Sequence, residues 1–209
     1  MSKHNYLIYG IGFIAQGLFS SRLIIQWFLS ERQKKVVTPA LFWVLSLLAS
    51  ILLFAYGYLR HDFAIMLGQC LTYFIYIRNL QLQNHWRKIH IVVRGIIYLL
   101  PGLLVVYYFN NNIIDIDRLF KNEDIPFWLL ILGIISQVLF TLRFVYQWIY
   151  SEKNKESILP MGFWVLSNLG SLLIFTYAIF RRDPVLLIGH LMGISIYTRN
   201  IMLLIKQND

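Results

Sequence analysis

The sequence predicts an all-α integral membrane protein of seven transmembrane helices, built as two parallel three-helix-bundle repeats joined by a linker helix. Three observations carry that prediction. The 209 residues are 58% hydrophobic and only 14% charged, with a mean hydropathy of +0.60, far more apolar than a water-soluble domain can hide. The charges fall in short islands between long apolar runs, the distribution a bilayer imposes on a chain that crosses it repeatedly. The chain also matches itself: residues 12–82 align with residues 133–203 without a gap, and about thirty of these positions are identical.

Taken in order, the first repeat holds apolar runs at 6–29, 39–59 and 63–82, and the second holds runs at 126–150, 160–180 and 184–205. Each is close to the ~20 residues a helix needs to cross ~30 Å of hydrocarbon. The first run follows Lys3 and resembles a signal peptide, with Ala15-Gln16-Gly17 as a passable cleavage site. Its copy lies mid-chain, where no such site is read, so it is taken as a retained helix. Pro39, Pro126 and Pro160 stand where helices open and a missing N–H costs nothing. Between the repeats, residues 91–109 read as a seventh helix, with Arg94 near one end and Pro101-Gly102 as a candidate kink. The division is therefore 6–83, a basic loop and linker helix over 84–110, and 126–206. Three crossings alone would invert the second copy; a fourth restores its direction, so the repeats run parallel about an axis along the membrane normal.

The formal charge of +9 does not point to nucleic acid, because the lysines and arginines sit in loops flanking apolar spans, where they set topology. Arg32, Lys34, Lys35, Arg87, Lys88, Lys153, Lys155 and Lys206 share one side; the other side dilutes its cations with Asp62, Asp115, Asp117, Glu123, Asp124 and Asp183. The bias puts the C-terminus in the cytoplasm and the N-terminus outside. Cys70 is the only cysteine, so no disulfide forms within the chain.

Both copies carry Gln-Trp-x-x-Ser-Glu (Gln26, Trp27, Ser30, Glu31; Gln147, Trp148, Ser151, Glu152), a basic turn, and Pro-x-x-Phe-Trp-x-Leu-Ser from Pro39 and Pro160. An Asp-led third helix then ends in Tyr-x-Arg-Asn at Asn79 and Asn200. This pattern resembles the lipid-A-disaccharide synthase N-terminal domain family, a membrane domain grouped with the PQ-loop, SWEET and SemiSWEET carriers. The resemblance implies a SWEET-like 3+1+3 architecture, a role in envelope glycolipid metabolism in a bacterial inner membrane, and substrate movement along the axis between the bundles. It does not imply synthase activity here, since the sequence leaves no segment large enough for such a catalytic domain.

Arg22 and Arg143 are full charges inside otherwise apolar helices at equivalent positions, roughly 12 Å from the following Ser-Glu loop. Gln26 and Gln147 follow one turn on, giving each first helix a guanidinium and an amide on one face, a surface suited to a phosphate or to sugar hydroxyls. The alternative is that these arginines snorkel to the interface or pair with a carboxylate such as Glu31. Arg78-Asn79 and Arg199-Asn200 end the third helices on the same side, so four arginines could ring one mouth as a phosphate site, or could pair with Glu31 and Glu152. Trp43 and Trp164, with Ser46 and Ser167 three residues on, could stack a sugar ring or simply anchor at the interface. The repeats differ where Leu47 becomes Asn168, Gln69 becomes His190, Thr72 becomes Gly193 and Phe74 becomes Ser195. Asn168 and His190 are the candidates for asymmetric contacts, with helix–helix hydrogen bonds as the alternative.

No Asp or Glu lies in the assigned spans, which argues against a carboxylate relay for proton or sodium coupling. The five histidines lack metal spacing, and neither a nucleophile elbow nor a glycine-rich phosphate loop is present. Asp115-Ile116-Asp117 resembles a DxD motif but falls in an acidic loop assigned outside. No cofactor and no catalytic constellation are expected. The sequence points to a carrier or flippase-like protein for a phosphorylated glycolipid or polyprenyl-phosphate-linked sugar. The alternatives are a non-transporting subunit that docks a membrane glycosyltransferase, or a component of lipid A disaccharide synthesis.

Overall fold

The computed structural model describes residues 3–110 and 126–208, with no strand among them. In chain order the helices are α1 (Lys3–Gln33), α2 (Ala40–Leu59), α3 (Phe63–Leu82), α4 (Ile91–Asn110), α5 (Phe127–Asn154), α6 (Met161–Arg181) and α7 (Pro184–Asn208), with a short 3-10 turn at Trp86–Lys88 before α4. The stretches Tyr6–Gln33, Ala40–Leu59, Phe127–Asn154, Met161–Arg181 and Pro184–Lys206 are long and apolar enough to cross a bilayer by length and composition alone. Six helices close into a ring in which α1 packs on α2, α2 on α3, α3 on α5, α5 on α6, α6 on α7, and α7 back on α1. The first helix of each repeat thus meets the third helix of the other, as a pseudo-two-fold along the membrane normal requires. α4 lies beside α3, where the Tyr73 hydroxyl donates to the Ile97 carbonyl at 2.9 Å and Trp86 packs edge-on against Tyr98.

The helix ends repeat as faithfully as the helices. Lys34 and Lys155 take left-handed φ of 52° and 57° where the first helices end, and His61 and Arg182 take 50° and 51° where the second helices end. Each such residue reverses the chain and lets the following N–H return to a carbonyl five residues back, as Asp62 N does to Gly57 O at 2.8 Å and Asp183 N to Ala178 O at 3.0 Å. That turn delivers Asp62 and Asp183 to the start of the third helices, where their carboxylates cap Ile65 N, and Val185 N and Leu186 N.

Close packing is not identical in the two halves. A methyl on Gly170 would lie 2.7 Å from the Phe140 Cα, so α6 rests directly on the α5 backbone. The matching residue in the first repeat is Ala49, fully buried, so α1 and α2 stand apart by enough for that methyl. Gly170→Ala is expected to force α5 and α6 apart and to cost roughly 1–3 kcal/mol of stability, read as a lower unfolding midpoint in detergent.

Candidate functional site

The ring encloses a central cavity of about 60 Å³ lined from both repeats. Arg22 and Arg143 face it and are 3% and 2% exposed. The protein meets both guanidiniums with neutral groups. Arg22 Nη1 donates to Ser46 Oγ, and Arg143 Nη1 donates to the Tyr197 hydroxyl at 3.2 Å. Aromatic faces supply the rest: Phe19 and Phe42 lie 4.5 and 4.8 Å from the Arg22 guanidinium carbon, and Phe140 and Phe144 lie 3.3 and 4.5 Å from that of Arg143. Such faces offset part of the cost of burying a cation but leave its charge in place. The Nε of each arginine is buried without a hydrogen-bond partner, and among the described residues neither arginine pairs with a carboxylate. Two buried cations without a carboxylate partner beside one small cavity are the chemistry that could hold an anion.

The remaining lining mixes apolar side chains, Leu23, Leu53 and Leu186 among them, with polar ones. It includes Gln16, Gln137, Thr72, Thr141 and His190, whose Nδ1 lies 3.0 Å from Ser171 Oγ. Gln16 and Gln137 are matched residues that sequence reasoning aligned but did not place in the site. Each reaches across to the other repeat: a methyl on Gly189 would lie 2.2 Å from Gln16 Oε1, and one on Gly68 would lie 2.3 Å from Gln137 Oε1. The readable signal was the recurrence of a polar residue and a glycine at the same offset in both copies.

The other expected site residues lie elsewhere. Trp43 and Trp164 are fully buried and lie outside the cavity lining. Ser46 and Ser167 donate to the Phe42 and Phe163 carbonyls, and Ser46 also receives Arg22. The four arginines form no single ring, because Arg78 pairs with Glu152 and Arg199 with Glu31, each across the repeats. Gln26 donates to Asn200 at 3.0 Å, and Gln147 exchanges hydrogen bonds of 2.8 and 3.1 Å with Asn79. These groups close one end of the ring. Asn168 is outside the cavity and donates to Thr198 at 3.2 Å. Asp115-Ile116-Asp117 lies outside the described residues, and among those that are described no group of His, Cys, Asp and Glu could hold a metal ion.

The opposite end is closed by residues read from sequence as loop charge. Asp62 and Asp183 are 1% and 0% exposed. The Tyr177 hydroxyl donates to Asp62 at 2.7 Å and the Tyr56 hydroxyl to Asp183 at 2.8 Å, each from the other repeat. Arg181 and Arg60 add crossed ion pairs at 3.7 Å to Asp62 and Asp183 respectively. Two carboxylates are therefore buried just before the third helices, outside the apolar spans themselves. The arginine cavity thus lies between two cross-repeat clusters of hydrogen bonds and ion pairs.

The family model for the Lipid A Biosynthesis N-terminal domain matches residues 11–81 and again residues 132–202. Similar proteins include the "Lipid-A-disaccharide synthase" of Chlamydia felis (strain Fe/C-56), 34% identical over 213 residues, and that of Chlamydia abortus (strain DSM 27085 / S26/3), 32% identical over 215 residues. Each alignment covers 97% of this chain but 34% of the relative, so the chain spans about a third of the length of the curated relatives it matches. No solved structure matches the chain.

Proposed function

The chain belongs to the Lipid A Biosynthesis N-terminal domain family, and we propose that it serves lipid A or envelope glycan biosynthesis as a membrane carrier for a phosphorylated glycolipid. The proposed cargo is a lipid-linked sugar such as a polyprenyl-phosphate sugar of envelope glycan synthesis. One observation carries the reading: two buried guanidiniums from two repeats face one small cavity without a carboxylate among the described residues to neutralise them. A cavity of about 60 Å³ suits a small anionic group such as a phosphate better than a whole glycolipid. The phosphate is the group the arginines would hold, with the sugar towards one end of the ring. Rocking of the repeats would break the Asp62/Asp183 end and the Glu31/Glu152 end in turn. We place the protein in a bacterial inner membrane with the Glu31/Glu152 end cytoplasmic, as the loop charges suggest.

Reconstitution into vesicles with a labelled polyprenyl-phosphate sugar in one leaflet tests this. Transbilayer movement above that of empty vesicles is expected, and its absence overturns the reading. The greater length of the relatives favours one alternative, a subunit that docks a membrane glycosyltransferase. That reading predicts no lipid movement together with stable co-purification of a transferase.

A further inference from the structure

The two seams between the repeats are built from the same residues but are not equally closed. At the α3/α5 seam Trp43 Nε1 donates to Ser157 Oγ at 2.9 Å, Ser157 Oγ donates to Asn79 Oδ1 at 2.8 Å, and Asn79 and Gln147 bond reciprocally. Arg78 grips Glu152 with both Nε and Nη2. At the α1/α7 seam the residue matching Ser157 is Val36, whose side chain can accept nothing. Trp164 Nε1 and Gln26 Oε1 are accordingly buried with no partner. Gln26 makes one bond to Asn200, and Arg199 reaches Glu31 through Nε alone. A seam missing an acceptor, and leaving a donor and an acceptor buried unpaired, is the weaker of the two.

The lipid-facing surface beside this seam also differs between the repeats in mid-membrane. Along the lipid-facing row of α5, Ile135, Val138 and Leu142 present an unbroken apolar surface, 50%, 39% and 43% exposed. On α1 the positions matching Val138, Thr141 and Leu142 are Gly17, Ser20 and Ser21. A methyl on Gly17 would meet nothing within 4 Å, and the exposed Ser21 hydroxyl donates to the Gly17 carbonyl of its own helix at 2.7 Å. Ser20 lines the arginine cavity and is partly exposed, whereas Thr141 is buried. The row is therefore notched beside Arg22. α4, packed on α3, lies away from this seam.

Resting on the carrier reading above, we infer that the α1/α7 seam is a lateral portal. The notch at Gly17, Ser20 and Ser21 takes the hydrocarbon tail of a lipid whose phosphate sits between Arg22 and Arg143. The tail stays in the bilayer while the headgroup crosses inside the ring, which removes the cost of dragging hydrocarbon through a polar cavity. The α3/α5 seam acts as the hinge.

The test uses the full chain in vesicles with a polyprenyl phosphate bearing a diazirine in its isoprenoid chain. Photolabelling is expected on α1 and α7; labelling mainly on α3 and α5, or spread evenly around the ring, overturns the portal. Gly17→Trp is expected to reduce both labelling and lipid movement at least about ten-fold, a loss of about 1.4 kcal/mol or more. Val138→Trp, at the matching place on the other seam, leaves both within about two-fold. Ser21→Phe serves as the second plug should Gly17→Trp not fold. Labelling on α1 and α7 in vesicles that move no lipid would sink the carrier reading alone. Movement that survives both plugs would sink the portal alone.

Discussion

Replacing Arg22 and Arg143 together by glutamine is expected to weaken binding of a water-soluble glycosyl phosphate by at least about 100-fold, with each single replacement costing roughly 10-fold or more. The size follows from about 1.5–3 kcal/mol for each charge-assisted hydrogen bond to the anion, at about 1.4 kcal/mol per factor of ten. Glutamine keeps a donor and much of the volume, so the loss reports charge rather than packing. Calorimetric titration of the purified chain checks it, with the unfolding midpoint measured alongside. If the arginines serve only to fasten the bundle, binding will be absent or unchanged, and the double variant will lose stability. On the charge reading its stability should rise or hold, because two buried like charges have been removed from one cavity. The opposite movement of affinity and stability separates the two roles.

The architecture was legible because bilayer physics writes it in large letters. Length, apolarity and a gapless internal copy are one-dimensional signals, and the helices lie within a few residues of the expected spans. The turns were less legible. Lys34, His61, Lys155 and Arg182 take the left-handed conformation that glycine usually signals, so nothing in their chemistry announced how sharply the chain would fold back. Arg22 and Arg143 stood out since an isolated charge in hydrocarbon demands an explanation. Their neighbours were harder to rank. Arg78 and Arg199 present the same residue type near the same end, yet each has a carboxylate across the repeats to meet. Sequence can offer that pairing as one option, but only the ring order brings the first helix of one repeat against the third helix of the other. Asp62 and Asp183 were misjudged for a related reason. A carboxylate one residue before a helix reads as a solvated cap, and its burial depends on a tyrosine delivered by the other repeat.

That burial makes the Asp62/Asp183 end the most consequential place to intervene after the arginines. Replacing both aspartates by leucine leaves Arg60 and Arg181, with side chains only 15% and 14% exposed, facing each other's repeats without a counter-charge. Breaking a buried pair by deleting one partner typically costs about 3–5 kcal/mol, so the double leucine variant should show a sharply lower unfolding midpoint. Removing Arg60 and Arg181 as well, with glutamine at each, should recover much of the loss, since the penalty lies in the stranded cations. Acid should act on the same seal. Burial holds the Asp62 carboxyl above its ordinary range, with the Tyr177 hydroxyl, the Ile65 N–H and Arg181 drawing it only partly back. A carboxyl with a raised folded pKa binds its proton more readily folded than unfolded, so its contribution favours the folded state most at low pH. That contribution is lost as pH rises through the raised value. Unfolding midpoints measured across that range should therefore fall with rising pH in the native chain, and Asp62→Asn should flatten the slope. A slope of opposite sign would mean that the ionised Asp62–Arg181 pair, rather than burial, governs how tightly this end is held shut.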